Sequence, residues 1–112
     1  MSRLFHETAQ DGAVAVVTLR GELDLAGTAT LEPELERLAH SDGVEVVALD
    51  LRALDFLDSS GLRLVVTTDQ RLGDAGRRLV LVRGREPVQR VFEITRMGER
   101  LSWVDAPEDA AR

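Results

Sequence analysis

Apolar positions along this chain alternate between two rhythms, period two and period three to four. Leu4 to Thr8 reads as a weak first strand, and Gln10-Asp11-Gly12 after it carries the Asp-Gly signal of a tight turn. Ala13 to Arg20 is rich in β-branched residues, with Val14, Val16 and Leu19 as the expected buried set. The two runs predict an antiparallel hairpin, and Gly21 is expected to break its second strand. Leu31, Leu35 and Leu38 then recur at helical spacing. Pro33 lacks an N–H, which costs little only in a first turn, so the regular helix is placed to start near Thr28 to Thr30. An earlier start implies a kink at Pro33. Ser41-Asp42-Gly43 closes this segment.

Val44 to Leu51 is nearly continuous in apolar character, as a strand covered on both faces requires, with Asp50 interrupting it near the end. A second helix is expected from Ser59 to about Leu72, stopped by Gly73 and Gly76, with Gly61, Leu64, Val65, Thr68 and Leu72 on its buried face. Leu79 to Val82 is a short strand. Pro87 opens a third helix carrying Val88, Val91, Phe92 and Thr95, and Gly98 is expected to cap it. Leu101 to Val104 is a last edge strand that includes Trp103, and Ala106 to Arg112 is a polar tail. The order ββαβαβαβ predicts an α/β fold. Helical crossovers need parallel pairing, so the sheet is mixed and mostly parallel, opening with a hairpin. Neither an internal repeat nor a low-complexity segment stands out.

Composition narrows the classes. The 112 residues fit one domain, with a core over about 4–104 and a tail over 105–112. There are no cysteines, which removes disulfides and thiolate metal sites. The net charge of −6 disfavours a nucleic-acid backbone or an anionic membrane as partner. No apolar run is long enough to span a bilayer, and Met1-Ser-Arg-Leu-Phe-His has no signal-peptide pattern, so a cytoplasmic location is expected. Lysine is absent and all cations are arginine, so chemistry that needs a lysine is excluded.

The most informative stretch is Asp55-Phe-Leu-Asp-Ser-Ser-Gly-Leu62, where the central strand hands over to the second helix. Asp58, Ser59 and Ser60 suit a helix N-terminus, because their oxygens accept orphan backbone N–H groups. That reading accounts for one cap and leaves Gly61 unexplained. Glycine in a first turn costs about 1 kcal/mol against alanine unless another backbone or a ligand approaches closely. The second reading is a phosphate switch. A phosphoserine at Ser59 or Ser60 would carry about −1.5 to −2 charges beside Asp55, Asp58 and Asp24. Like charges about 6 Å apart repel by roughly 3 to 5 kcal/mol at an effective dielectric of 20. Both readings stay open on the residues alone.

Catalytic readings fit poorly. Asp50, Asp55 and Asp58 do not have the spacing of a calcium loop, so no metal is expected. An aspartyl-phosphate receiver needs a lysine and an acidic pair after the first strand, and neither is present. A serine hydrolase needs a base near its nucleophile. His6 and His40 fall in the first strand and at a helix end, and no Gly-x-Ser-x-Gly elbow surrounds Ser59. The chain reads as a binding module without catalysis or cofactor of its own.

Three ordered stretches carry a family resemblance. Leu49-Asp-Leu-Arg-Ala-Leu-Asp-Phe-Leu-Asp-Ser-Ser-Gly-Leu62 resembles the signature of STAS domains of the bacterial anti-anti-sigma type. Leu19-Arg-Gly-Glu-Leu-Asp24 and Pro87-Val-Gln-Arg-Val-Phe-Glu-Ile-Thr95 are similar to the family's other markers, and together they cover about residues 4–104. The resemblance implies an anti-sigma factor antagonist. Its partner would be an anti-sigma factor that is also a serine kinase of the histidine-kinase-like ATPase fold. By the same resemblance the unphosphorylated form would bind that kinase and free a sigma factor. Phosphorylation of Ser59 would release the kinase, and a metal-dependent serine phosphatase would reset the switch. Asp24, Leu25, Asp58, Ser60, Gly61, Leu62 and Arg63 would lie in the docking surface. Arg63 departs from the small residue usual in the family. An alternative is a STAS subunit of a transporter or signalling assembly, with or without a nucleotide or lipid ligand. In that role Ser59 serves only at the helix start. Homodimer formation is left open by the sequence.

Overall fold

The structure, a computed structural model, describes residues 3–111. Strands β1 (Leu4–Asp11), β2 (Val14–Leu23), β3 (Val46–Leu57), β4 (Arg78–Val82) and β5 (Trp103–Val104) form one sheet in sequential order. The β1–β2 pair is antiparallel and the other three pairs are parallel. Helices α1 (Leu25–Ala39), α2 (Ser59–Asp74) and α3 (Glu86–Thr95) make the crossovers. The α/β architecture and the order ββαβαβαβ are those the apolar rhythm predicts.

The strand period of two divides the interior into two unequal layers. Ala15, Val17 and Leu19 of β2 and Val47, Leu49 and Leu51 of β3 face one way. There they meet Leu31, Leu35 and Leu38 of α1, Val65 and Leu72 of α2, and Val88 and Phe92 of α3 in one buried cluster. All three helices therefore pack on the same face. Val14, Val16, Val46, Ala48, Val80 and Val104 face the other way, and there Ala110 of the C-terminal 3-10 turn Pro107–Ala111 packs on them. Residues 46–51 are buried throughout, as a strand with both faces covered requires. Leu31, Leu35 and Leu38, and the whole expected face of α2, are buried.

Several local expectations are corrected. In β2 the buried set is Ala15, Val17 and Leu19, not Val14, Val16 and Leu19. Residues of one face must share parity, and the valines at even positions lie on the other face. Gly21 does not end β2; its φ of 96° accompanies a register shift, and the strand runs on to Leu23. Helix α1 starts at Leu25 because Asp24 caps it, which leaves Pro33 in the helix interior. Ala29 and Pro33 are both exposed, so the missing i+4 donor falls on the outer side of the helix. Strand β3 extends past Leu51 to Leu57, whereas β5 contracts to Trp103–Val104.

The ends of the later helices also differ. Gly73 lies inside α2, and left-handed Gly76 follows its end. Arg96, with φ 61°, caps α3 in place of Gly98. Gly98 sits under the Trp103 ring, and its carbonyl accepts the indole N–H at 2.9 Å. Residues 106–111 are no free polar tail, since Ala110 is 1% exposed.

Candidate functional site

Strands β2 and β3 end in register, with Leu23 paired to Leu57. Each is followed by an aspartate with nearly the same backbone, φ −105° and ψ −169° at Asp24, φ −108° and ψ −171° at Asp58. Each aspartate caps the helix that begins next. Asp24 Oδ1 accepts the Gly27 N–H at 2.9 Å. Asp58 Oδ1 accepts the N–H groups of Ser60 at 2.9 Å and Gly61 at 3.1 Å. The sequence behind this likeness is a five-residue repeat, Leu23-Asp-Leu-Ala-Gly27 and Leu57-Asp-Ser-Ser-Gly61. It is too short to register as an internal repeat, and only the neighbouring of parallel strands, about 4.8 Å apart, gives it meaning.

The glycines of the repeat have a packing cause. A Cβ on Gly61 would lie 2.5 Å from the Leu23 carbonyl oxygen, and one on Gly27 would lie 2.7 Å from that of Glu22. The first turn of each helix thus passes directly over the backbone of a strand. Gly61 answers to another backbone rather than to a ligand.

The cap assignment changes the status of the two serines. The N–H groups of Ser60 and Gly61 at the start of α2 are taken by Asp58. Ser59 is exposed, and its hydroxyl makes no hydrogen bond among the described residues. It does not serve as the cap. Ser60 is half-buried and faces a groove of about 280 Å³ between α1 and α2, lined also by Leu25, Thr28, Arg63 and Thr67. Leu62, expected at the docking surface, is 8% exposed and belongs to the core. Gly61 is likewise buried, so both position the turn from beneath.

The surrounding charges are more committed than the sequence suggests. Asp55, expected as a free negative neighbour of Ser59, pairs with Arg85 at 2.6 Å. Asp50 is buried and bound by the Arg52 guanidinium at 2.9 Å, away from the turn. His40 pairs with Glu36 at the far end of α1, and His6 lies in β1 opposite Leu19. Neither histidine is placed to act as a base on Ser59.

Two large apolar side chains stand out of this end of the sheet. Leu25, at the position in α1 that Ser59 holds in α2, is 72% exposed, and Phe56 is 48% exposed. Phe56 was not singled out from the sequence. Its exposure follows from topology, because β4 pairs with β3 only as far as Asp50 and leaves the end of β3 uncovered on that side. The alternation of Asp55, Phe56 and Leu57 carries no sign of this.

The helices that carry the turn are fastened to one another. Arg71 of α2 reaches Glu32 at 3.4 Å and Glu36 at 3.5 Å. Arg77 donates to the carbonyls of Leu38 at 2.7 Å and Ser41 at 2.6 Å, closing the C-terminus of α1. Glu34 accepts from Thr8 at 2.6 Å and pairs with Arg37 at 2.7 Å. The Arg37 hydrogen bonds foremost, with help from Thr8, hold the Glu34 carboxyl down at about 2.

Comparison with known proteins agrees with this geometry. The STAS domain family model matches residues 6–111. The anti-sigma-F factor antagonist RsfB of Mycobacterium tuberculosis is 32% identical over 83 residues, covering 71% of this chain and 67% of RsfB. A crystal structure of an anti-sigma factor antagonist from Mycobacterium paratuberculosis superposes with a TM-score of 0.85 at 24% identity, over 97% of this chain and 92% of that one. The unphosphorylated form of the anti-sigma factor antagonist SpoIIAA gives a TM-score of 0.80 at 22% identity, over 96% and 93%. At these identities the two structures speak for the fold.

Proposed function

The chain belongs to the STAS domain family, and from that premise we propose that it is an anti-sigma factor antagonist switched by phosphorylation of Ser59. The observation that carries this reading is the spare hydroxyl. Asp58 satisfies the first-turn N–H groups, and Ser59 stands exposed at the helix start with no structural bond to keep. A kinase gains access to it without opening the fold.

The unphosphorylated surface presents Leu25 and Phe56 as apolar anchors around the turn, with Asp24, Asp58, Ser60 and Arg63 as its polar members. Its partner is an anti-sigma factor that is itself an ATPase-fold serine kinase, and capture of that partner releases a sigma factor in the cytoplasm. A phosphate on Ser59 inserts close to two negative charges into the docked surface. A penalty of about 3 kcal/mol corresponds to more than a hundredfold loss of affinity. A serine phosphatase restores the binding form. Nothing in the cycle requires refolding, because the cap and the core beneath it stay in place.

The test is intact-mass analysis with site mapping after incubation with ATP and the anti-sigma kinases of the host. One phosphoryl group on Ser59, absent from Ser59→Ala, is the expected result. Ser59→Ala should bind the kinase constitutively and Ser59→Asp should lose binding at least a hundredfold. Absence of transfer with every active kinase would sink the switch and favour a permanent role in a larger assembly.

A further inference from the structure

Resting on the phosphorylation of Ser59 proposed above, we infer that Arg63 is the internal receptor of that phosphate, pairing with it and thereby withdrawing from the docking surface.

Ser59 and Arg63 lie four residues apart on α2. One helical turn sets them on the same face with Cβ atoms about 6 Å apart. Both are exposed. Arg63 makes no hydrogen bond or ion pair among the described residues. Three other guanidiniums near α1 and α2 are engaged, Arg71 with Glu32 and Glu36, Arg85 with Asp55, and Arg77 with the carbonyls at the end of α1. Backbone competition is reduced as well, because Asp58 already holds the N–H groups of Ser60 and Gly61. A phosphate on Ser59 therefore takes its positive partner from a side chain, and Arg63 is the one a turn away. A guanidinium suits the task through its planar, two-pronged donation to phosphate oxygens.

The pairing makes the switch two-sided. Unphosphorylated, Arg63 is a free cation beside Ser60 and Leu25, open to a carboxylate on the partner. Phosphorylated, the same cation is spent within the helix. A docking partner meets new negative charge and loses a positive contact in one event.

The test uses the full chain with phosphoserine placed at position 59 during synthesis, so it is independent of any kinase. The readout is the second ionisation of the phosphate, followed by phosphorus NMR against pH. An arginine on the phosphate favours the dianion and lowers the midpoint relative to a chain without it, against the opposite push of the Asp24 and Asp58 carboxylates. Arg63→Gln should raise the midpoint by about half a unit, and Arg63→Lys should keep most of the lowering. Arg71→Gln, two turns further and already paired, should leave it unchanged. Equal midpoints in the parent and Arg63→Gln would overturn the pairing, as would equal shifts in Arg63→Gln and Arg71→Gln. Failure of the proposed switch would show instead as absence of phosphoryl transfer, with the midpoint comparison still deciding the role of Arg63.

Discussion

Two glycines of α2 offer a matched test of how the site is built. Replacing either with alanine makes the same chemical change in the same helix, and neither has a left-handed backbone. Helix propensity alone favours alanine by about 1 kcal/mol in a helix interior. At Gly73 a new Cβ meets nothing within 4 Å. Gly73→Ala, near the helix end, should stabilise by about 0.5 kcal/mol and raise Tm by a few degrees. At Gly61 the new Cβ lies 2.5 Å from the Leu23 carbonyl oxygen and 2.9 Å from Leu23 Cγ. That carbonyl is fixed, since it accepts the Asp58 N–H at the end of a paired strand. The helix start must move away, and because the contact is with fixed backbone the overpacking cost falls in the upper part of the usual range, about 2 to 3 kcal/mol, which outweighs the propensity gain. Gly61→Ala should therefore be destabilised by about 1 to 2 kcal/mol, a fall in Tm of about 4 to 8 °C. Urea unfolding of parent and both variants, with m-values compared, reads the difference. The same sign for both substitutions, or Gly61→Ala as stable as the parent, would refute the backbone-contact account of the turn.

Other expectations follow from the same geometry. Asp58→Ala removes the acceptor of two N–H groups and should cost about 1 to 2 kcal/mol in a thermal melt, with Asp58→Asn recovering most of it; a neutral Asp58→Ala would mean that Ser59 or Ser60 caps the helix after all. Glu34 has a folded value of about 2 against an ordinary 4.5, so its stabilisation is present above 4.5 and is lost as pH falls through that window. For a side chain 17% exposed this amounts to about 1 to 2 kcal/mol after screening by solvent. Melts from neutral pH to pH 2 should show a shallower acid decline in Glu34→Gln than in the parent, and identical slopes would remove Glu34 from the account.

Much of this architecture is legible in the sequence, because periods of two and 3.6 differ enough to separate strands from helices. The α2 face from Gly61 to Leu72 and the α1 leucines follow directly from spacing. Misreadings arise where one residue has two competing effects. Pro33 argued for a late start to α1, yet Asp24, a strong cap, fixes the start at Leu25 and leaves the proline on the exposed side. Val14 and Val16 looked buried by composition, and they are half-buried on the far face, where Ala110 returns to help cover the sheet. That return is a long-range contact no local pattern announces. At the site, the run from Asp55 to Leu62 is visible from residue types alone. The pairing of Asp55 with Arg85, the exposure of Phe56 and the division of labour between Asp58 and Ser59 depend on which strands lie side by side.

That division of labour bears on how such a protein evolves. Since the fold rests on the aspartate and glycine of each Leu-Asp-x-x-Gly junction, stability does not fix the residue after the aspartate. Under the proposed switch, a lineage that loses the hydroxyl at position 59 keeps a folded, permanently binding protein. Under the same proposal, one that gains a hydroxyl at exposed position 25 acquires a second candidate for modification on the neighbouring helix. Regulation is then decided at single codons that natural selection for stability leaves alone.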